Sequence, residues 1–319
     1  MNRNLSVYGD TVRNVEIPDF MHMTNLARSI FKQEYQSLEI MPGGLTNKNF
    51  QAVMEDGTQV AIRVAGPGTA NYINRPAEKH NATAMAAMGI APEIYYYDTK
   101  TGSQICEFID KPTLHNTDFQ TRDDVLENAG RVMRRYHDSG VEFKSAFNPI
   151  VATNGYVEIL KTGYDKRYEG WERMSAYLEK ISAIYAKNPP RQVPCHNDTL
   201  AENFMYDGKE MRVIDWEYGG MNDGFYDLAC VCVENPLDAK CEETFLRAYC
   251  GGEPTEEARA RMLINKFLVT THWSTWSLVQ ISYGKDEAFY WEYGRTRAVQ
   301  ACSFLDDPNF DRYLELIAQ

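Results

Sequence analysis

The chain has 319 residues, 44% hydrophobic and 12% aromatic, which is enough for two lobes with sizeable cores and too apolar for a disordered protein. Its formal charge of −12 argues against the basic face of a nucleic-acid binder, and no apolar run approaches the roughly 20 residues of a membrane span. Met1–Asp10 lacks the apolar stretch of a secretory signal, and the seven scattered cysteines include no C-x-x-C pair, so a cytoplasmic protein with free thiols is expected.

Apolar positions at helical spacing over residues 21–35 predict a short helix. Ser37–Met41 reads as a strand that turns through Gly43-Gly44-Leu45-Thr46-Asn47 and returns as Phe50–Val53. Asp56-Gly57 marks the next turn and Val60–Val64 a third strand, so an antiparallel sheet is expected. A helix is predicted from about Arg75 to Met88, with Pro76 in its first turn and Gly89 past its end. Strands Glu93–Tyr97 and Gln104–Ile109 follow. After Ile109–Thr113 the pattern turns helical, over 118–139 and then 155–187 as one long helix or two, ended by Pro189-Pro190. Phe204–Tyr206 and Met211–Ile214 flank Asp207-Gly208 and predict a β-hairpin. Beyond Asp223, helices are predicted over 238–250, 254–283 and 286–305, with a short piece after Pro308. The expected class is α+β. A small β-rich N-terminal lobe (1–110) precedes a larger, mostly helical C-terminal lobe (111–319) that holds the hairpin.

Asp198 lies on the way into that hairpin, Asn203 five residues later, and Asp215 where the hairpin ends. A hairpin returns its ends to one place, so these side chains can converge. Hard oxygen ligands suit Mg²⁺, which binds through one or two carboxylates plus substrate phosphates. A carboxylate not needed by the metal is free to orient a hydroxyl nucleophile. In the turn at 43–47, glycines let backbone N–H groups approach phosphates, and Thr46 and Asn47 add side-chain donors; alone, the segment is simply a turn. Arg63 is the one charged residue in Val60–Val64, placed to hold the α/β-phosphates as lysine does in protein kinases, with Glu78 on the next helix as its partner. The alternative for each is a solvated surface charge. Trp273 and Trp276, three apart, share a helix face, an arrangement that by itself more often means core packing. Cys195 reads as a small packing residue and His196 as a shaper of the loop.

His196-x-Asp198-x₄-Asn203 followed by Ile214-Asp215 resembles the phosphotransferase motif shared by aminoglycoside phosphotransferases and choline/ethanolamine kinases, families with the protein-kinase-like fold. Ile214–Tyr218, Asn222, Phe225–Ala229 and His272–Gln280 are similar to choline kinases, and Gly43–Asn47 and Ile73-Asn74-Arg75-x₂-Glu78-Lys79 to their bacterial members. The resemblance runs in order over about residues 38–305, with Ala201 where bacterial relatives often carry Pro. It implies an ATP:choline phosphotransferase. Thr46, Asn47, Arg63 and Glu78 then serve ATP, Asn203 and Asp215 bind Mg²⁺, and Asp198 is the base or orienting group for the acceptor hydroxyl. Glu217 either reaches a second metal through water or is structural. Tyr218, Trp273, Trp276 and Tyr293 match positions lining the choline pocket, and Glu234 matches a carboxylate near the substrate cation. A quaternary ammonium has no N–H, so aromatic faces read it, at about 0.5–2 kcal/mol each. Ethanolamine, another small amino alcohol or an aminoglycoside is the alternative acceptor. A catalytically inactive choline-binding pseudokinase is the alternative of another class, and the competent residues at Arg63, Asp198, Asn203 and Asp215 stand against it. The expected partner is a small-molecule substrate, with no nucleic acid and no membrane span; the oligomeric state is left open.

Overall fold

The computed structural model describes residues 17–41, 47–66 and 73–319. They form two compact units. The first combines the described part of Met1–Pro112 with Arg212–Tyr218, and the second combines Thr113–Met211 with Gly219–Gln319. The segment 212–218, read from the sequence as part of the C-terminal lobe, therefore clusters with the first unit.

The first unit opens with α1 (Ile17–Phe31), four residues upstream of the predicted span. The helix stops there because Lys32 takes a left-handed backbone (φ 55°) and Tyr35 already begins a strand. Strands β1 (Tyr35–Ile40), β2 (Lys48–Met54) and β3 (Gln59–Val64) precede α2 (Arg75–Ala87), and β4 (Ile94–Tyr97) and β5 (Gln104–Glu107) follow it. The five strands form one antiparallel sheet in the order β1-β2-β3-β5-β4. Phe50, Ala52 and Met54 on β2, with Val60, Ile62 and Val64 on β3, pack against Met23 and Ala27 of α1. Side chains alternate along a strand, so Arg63 projects from the face opposite that core. Asn74 caps α2, its Oδ1 accepting from Ala77 N at 3.1 Å.

In the second unit, α3 (Asn116–Thr121) and α4 (Asp123–His137) replace the single helix expected over 118–139. Arg122 between them has extended backbone, φ −122° and ψ 105°. The span 155–187 resolves into α5 (Pro149–Gly163) and α6 (Trp171–Lys187). Next along the chain come β6 (Gln192–Cys195), the hairpin strands β7 (Phe204–Tyr206) and β8 (Met211–Val213), whose Arg212 and Val213 belong to the first unit, and β9 (Gly220–Asp223). The hairpin forms as predicted, with Asp207 Oδ1 accepting from Lys209 N and Glu210 N at 2.9 Å each. The antiparallel β6–β9 pair was not legible from the sequence. Helices α7 (Gly224–Glu234), α8 (Ala239–Cys250), α9 (Glu256–Ser282), α10 (Glu287–Leu305) and α11 (Phe310–Ile317) complete the unit. Helix α9 is buried on most of its sides, and its Ile264, Phe267 and Leu268 share a core with residues of α5, α6, α10 and α11. No helix among the described residues is long and apolar enough to cross a membrane.

Candidate active site

Arg63 is the hub of a buried ionic cluster in the first unit. Its Nη2 donates to Glu78 Oε1 at 2.5 Å and to Gly102 O at 2.9 Å, and its Nη1 lies 3.4 Å from Asp215 Oδ1. Arg75, at the first position of α2, donates through Nη1 to Glu78 Oε2 at 2.5 Å and approaches Glu217 Oε2 at 3.4 Å. The glycine at 102 is required twice. Its φ is +89°, and a Cβ there would collide with the Arg75 side chain. Burial disfavours charge on Arg63, but the carboxylates of Glu78 and Asp215 outweigh it, so the guanidinium stays protonated. Burial likewise works against the Glu78 carboxylate, and Arg63 and Arg75 outweigh it, holding its pKa below the ordinary value. Glu217 is pushed up to about 7, first by burial and then by the charge of Asp215, with the two arginines opposing. When all are ionised, two guanidiniums face three carboxylates.

The loop after β6 is fixed from beneath by Asp227 in the first turn of α7, which is fully buried. Its Oδ2 accepts from His196 N and its Oδ1 from Asn197 N, both at 2.7 Å. Tyr136 OH also donates to Oδ2 at 2.9 Å, and His137 Nε2 lies 3.3 Å away. Burial raises the Asp227 pKa, but the hydrogen bond and charge of His137 and the neighbouring His196 outweigh it, holding the carboxyl below its ordinary range. Thr199 Oγ1 donates to Asp227 O at 2.8 Å. Asn197 takes a left-handed φ of 67° and accepts from Asn222 Nδ2 at 2.9 Å. Of His196, Asn197, Asp198 and Thr199, only Asp198 is not buried. Asn203, in the 3₁₀ turn Ala201–Asn203, donates through Nδ2 to Asp198 O at 2.8 Å, which leaves Oδ1 as the amide atom suited to a cation. Cys195 is fully buried beside His137, 3.7 Å from Nε2, as a packing residue should be.

A third group lies on the last helices. The Trp273 and Trp276 rings meet edge to face with centroids 5.5 Å apart, and Tyr293 of α10 adds its ring 5.9 Å from Trp276. Glu234, at the end of α7, pairs with Arg297 at 2.5 Å.

The structure thus joins Arg63, Glu78 and Asp215 in one cluster, Asp198 with Asn203 in a second, and Trp273, Trp276 and Tyr293 in a third. Tyr218 closes the 3₁₀ turn Trp216–Tyr218 of the first unit. Asn47 is buried, with its Oδ1 accepting from Gly66 N at 3.3 Å; Thr46 lies outside the described residues.

A family model for choline/ethanolamine kinase matches residues 38–302. The chain belongs to the choline/ethanolamine kinase family. A crystal structure of a choline/ethanolamine kinase family protein from Mesorhizobium loti superposes with a TM-score of 0.80 at 30% identity, covering 93% of this chain and 99% of the other. The choline kinase LicA from Streptococcus pneumoniae superposes with a TM-score of 0.71 at 27% identity, covering 88% and 99%. Human ethanolamine kinase 2 is 25% identical over 306 residues, 84% of this chain and 75% of that one. The fold is protein-kinase-like and the chain is a phosphotransferase of this kinase family.

Two contributors to these kinase-family clusters carried no assigned role in the sequence. Arg75 stood inside the Ile73–Lys79 motif, yet one of its partners, Glu217, is 142 residues away. Asp227 stood inside Phe225–Ala229, but Tyr136 and His137, which hold it, sit in an ordinary helix end with no local signal.

Proposed function

We propose that this kinase transfers the γ-phosphoryl group of ATP to the hydroxyl of choline, giving phosphocholine and ADP. The observation that carries the choice of acceptor is the assembly of Trp273, Trp276 and Tyr293 on two adjacent helices, because aromatic faces attract a quaternary ammonium that cannot donate a hydrogen bond.

Each residue takes a role from its chemistry. Arg63, held by Glu78, binds phosphate oxygens of ATP together with Thr46 and Asn47. Asp198 accepts the hydrogen bond of the acceptor hydroxyl, aligns its oxygen with the γ-phosphorus and takes the proton as the P–O bond to ADP breaks. The donor set fits Mg²⁺: Asn203 Oδ1 and Asp215 are hard oxygens, the Arg63 cluster carries an excess of carboxylate, and the Asp215 side chain is 39% exposed. Asn203 and Asp215 are its proposed ligands, and when bound the ion neutralises phosphate charge. Residues up to about 110 are the proposed nucleotide-binding part, and 111–319 the proposed catalytic and acceptor-binding part.

The test is an acceptor screen with ATP and Mg²⁺, following ADP release and phosphorus NMR of the product. The reading expects phosphocholine, with a higher kcat/KM for choline than for mono- and dimethylethanolamine or ethanolamine. A preference for ethanolamine would overturn the choice of acceptor while leaving the kinase reading intact. ATP consumption independent of any acceptor would overturn both.

A further inference from the structure

The carboxylate expected to face the substrate cation already has a cation of its own. Arg297 Nη2 donates to Glu234 Oε2 at 2.5 Å, and the same guanidinium lies 3.6 Å from the centroid of the Tyr293 ring. Arg297 follows Tyr293 by one turn of α10, so both side chains leave the helix on one face. The pair is nearly sealed, with Glu234 11% and Arg297 14% exposed. Glu234 Oε1 and Arg297 Nε are buried without a hydrogen-bond partner among the described residues. One face of Tyr293 therefore holds a resident cation, and the only charge that Glu234 offers is already spent.

Resting on the amino-alcohol reading above, we propose that Arg297 is a specificity-determining residue of the acceptor site: a built-in cation whose charge Glu234 cancels, so that the acceptor's ammonium is held by aromatic faces and not by Glu234. Two unit charges around one ring cluster repel over a longer range than the ring quadrupole attracts. An ammonium is admitted beside Arg297 only because the Glu234–Arg297 pair is neutral as a whole. Glu234 is then a positioning residue that acts through Arg297, and the two substitutions have effects that do not add.

The experiment is a double-mutant cycle on the full chain. It uses Glu234→Gln, Arg297→Gln and the double variant, with acceptor KM and kcat measured separately. Quenching of tryptophan fluorescence by tetramethylammonium gives a readout free of turnover. Glu234→Gln uncovers the guanidinium and should raise KM and the tetramethylammonium Kd about tenfold or more, with the loss falling on KM rather than kcat. The double variant carries neither charge and should recover most of that loss. It also leaves no unpaired buried charge, so it remains a test where a single variant fails to fold, as thermal melting by circular dichroism will show. A double variant as impaired as Glu234→Gln, or about tenfold worse than wild type where the single variant cannot be made, overturns the inference, because Glu234 then holds the ammonium itself. A wild type that neither phosphorylates nor binds any amine overturns the acceptor reading and the inference together, whereas turnover with an unrescued double variant overturns the inference alone.

Discussion

Asp198 is held by a loop whose other members are buried, so its carboxylate is presented while its backbone is fixed. Replacing Asp198 by Ala removes the group proposed to orient the acceptor hydroxyl and should lower kcat about 10²–10⁴-fold with a smaller change in KM, measured by coupled ADP release. Arg75 poses a different problem, since it serves two carboxylates and is itself 2% exposed. Arg75→Met leaves both Glu78 and Glu217 to Arg63 alone, which should cost about 3–5 kcal/mol in urea unfolding. At this scale, what was legible was charge out of place. A lone Arg in an apolar strand and an acid on the next helix were both read as partners, and the ion pair at 2.5 Å bears that out. Arg75 escaped because its identity fits an exposed helix start as well as a buried cluster. Trp273 and Trp276 were read as one helix face, and their rings do meet.

Among the elements, α7 does more than pack. Its first turn delivers Asp227, whose two oxygens hold the consecutive N–H groups of His196 and Asn197. Asp227→Asn keeps the shape but sets an NH₂ against one of those donors. The expected cost is about 1–3 kcal/mol in unfolding free energy, with a fall in kcat because the Asp198 loop loses an anchor. The two assays separate the effects if kcat is measured well below the melting temperature. Long periodic helices and the Asp-Gly hairpin were legible, because each is specified by neighbours a turn or two away. The break at Arg122 was not, since arginine is a good helix former and nothing local marks the extended backbone there. The β6–β9 pair was also missed. Gln192-Val193-Pro194-Cys195 and Gly220-Met221-Asn222-Asp223 show no clean alternation, one contains Pro and the other Gly, and their register is set by residues about 30 positions apart.

At the scale of the whole molecule, one histidine adds an acid-sensitive contribution that can be isolated by substitution. His272 is buried in α9, hydrogen-bonded through Nδ1 to Thr153 of α5 at 3.1 Å, and burial pushes its pKa down to about 3. Its value in the unfolded chain is about 6.5. Between those values this histidine binds a proton in the unfolded chain and not in the folded one, so its contribution to stability falls as pH drops below 6.5. The loss is about 1.4 kcal/mol per pH unit, or about 2 kcal/mol by pH 5. Nothing changes from this group above pH 7. Urea unfolding at pH 7 and pH 5 should therefore show the wild type losing about 2 kcal/mol more than His272→Gln, because Glu217, with its pKa raised to about 7, adds a change of the opposite sign that both proteins share.

The division of the chain also constrains how such a kinase can be recombined. The polypeptide passes from one compact unit to the other three times, after Pro112, after Met211 and after Tyr218. A crossover at residue 112 with a homologous gene would bring in Arg63, Arg75 and Glu78 while retaining the recipient's Asp215 and Glu217, splitting one ionic cluster between two ancestries. The N-terminal unit is therefore not a portable cassette. A chimaera that exchanges residues 1–112 together with 212–218 should express and melt like its parents, and one exchanging 1–112 alone should melt lower, most of all where the donor differs at the positions facing Arg63 and Arg75. Heredity of this part of the kinase is carried by two separated stretches of sequence that must travel as one.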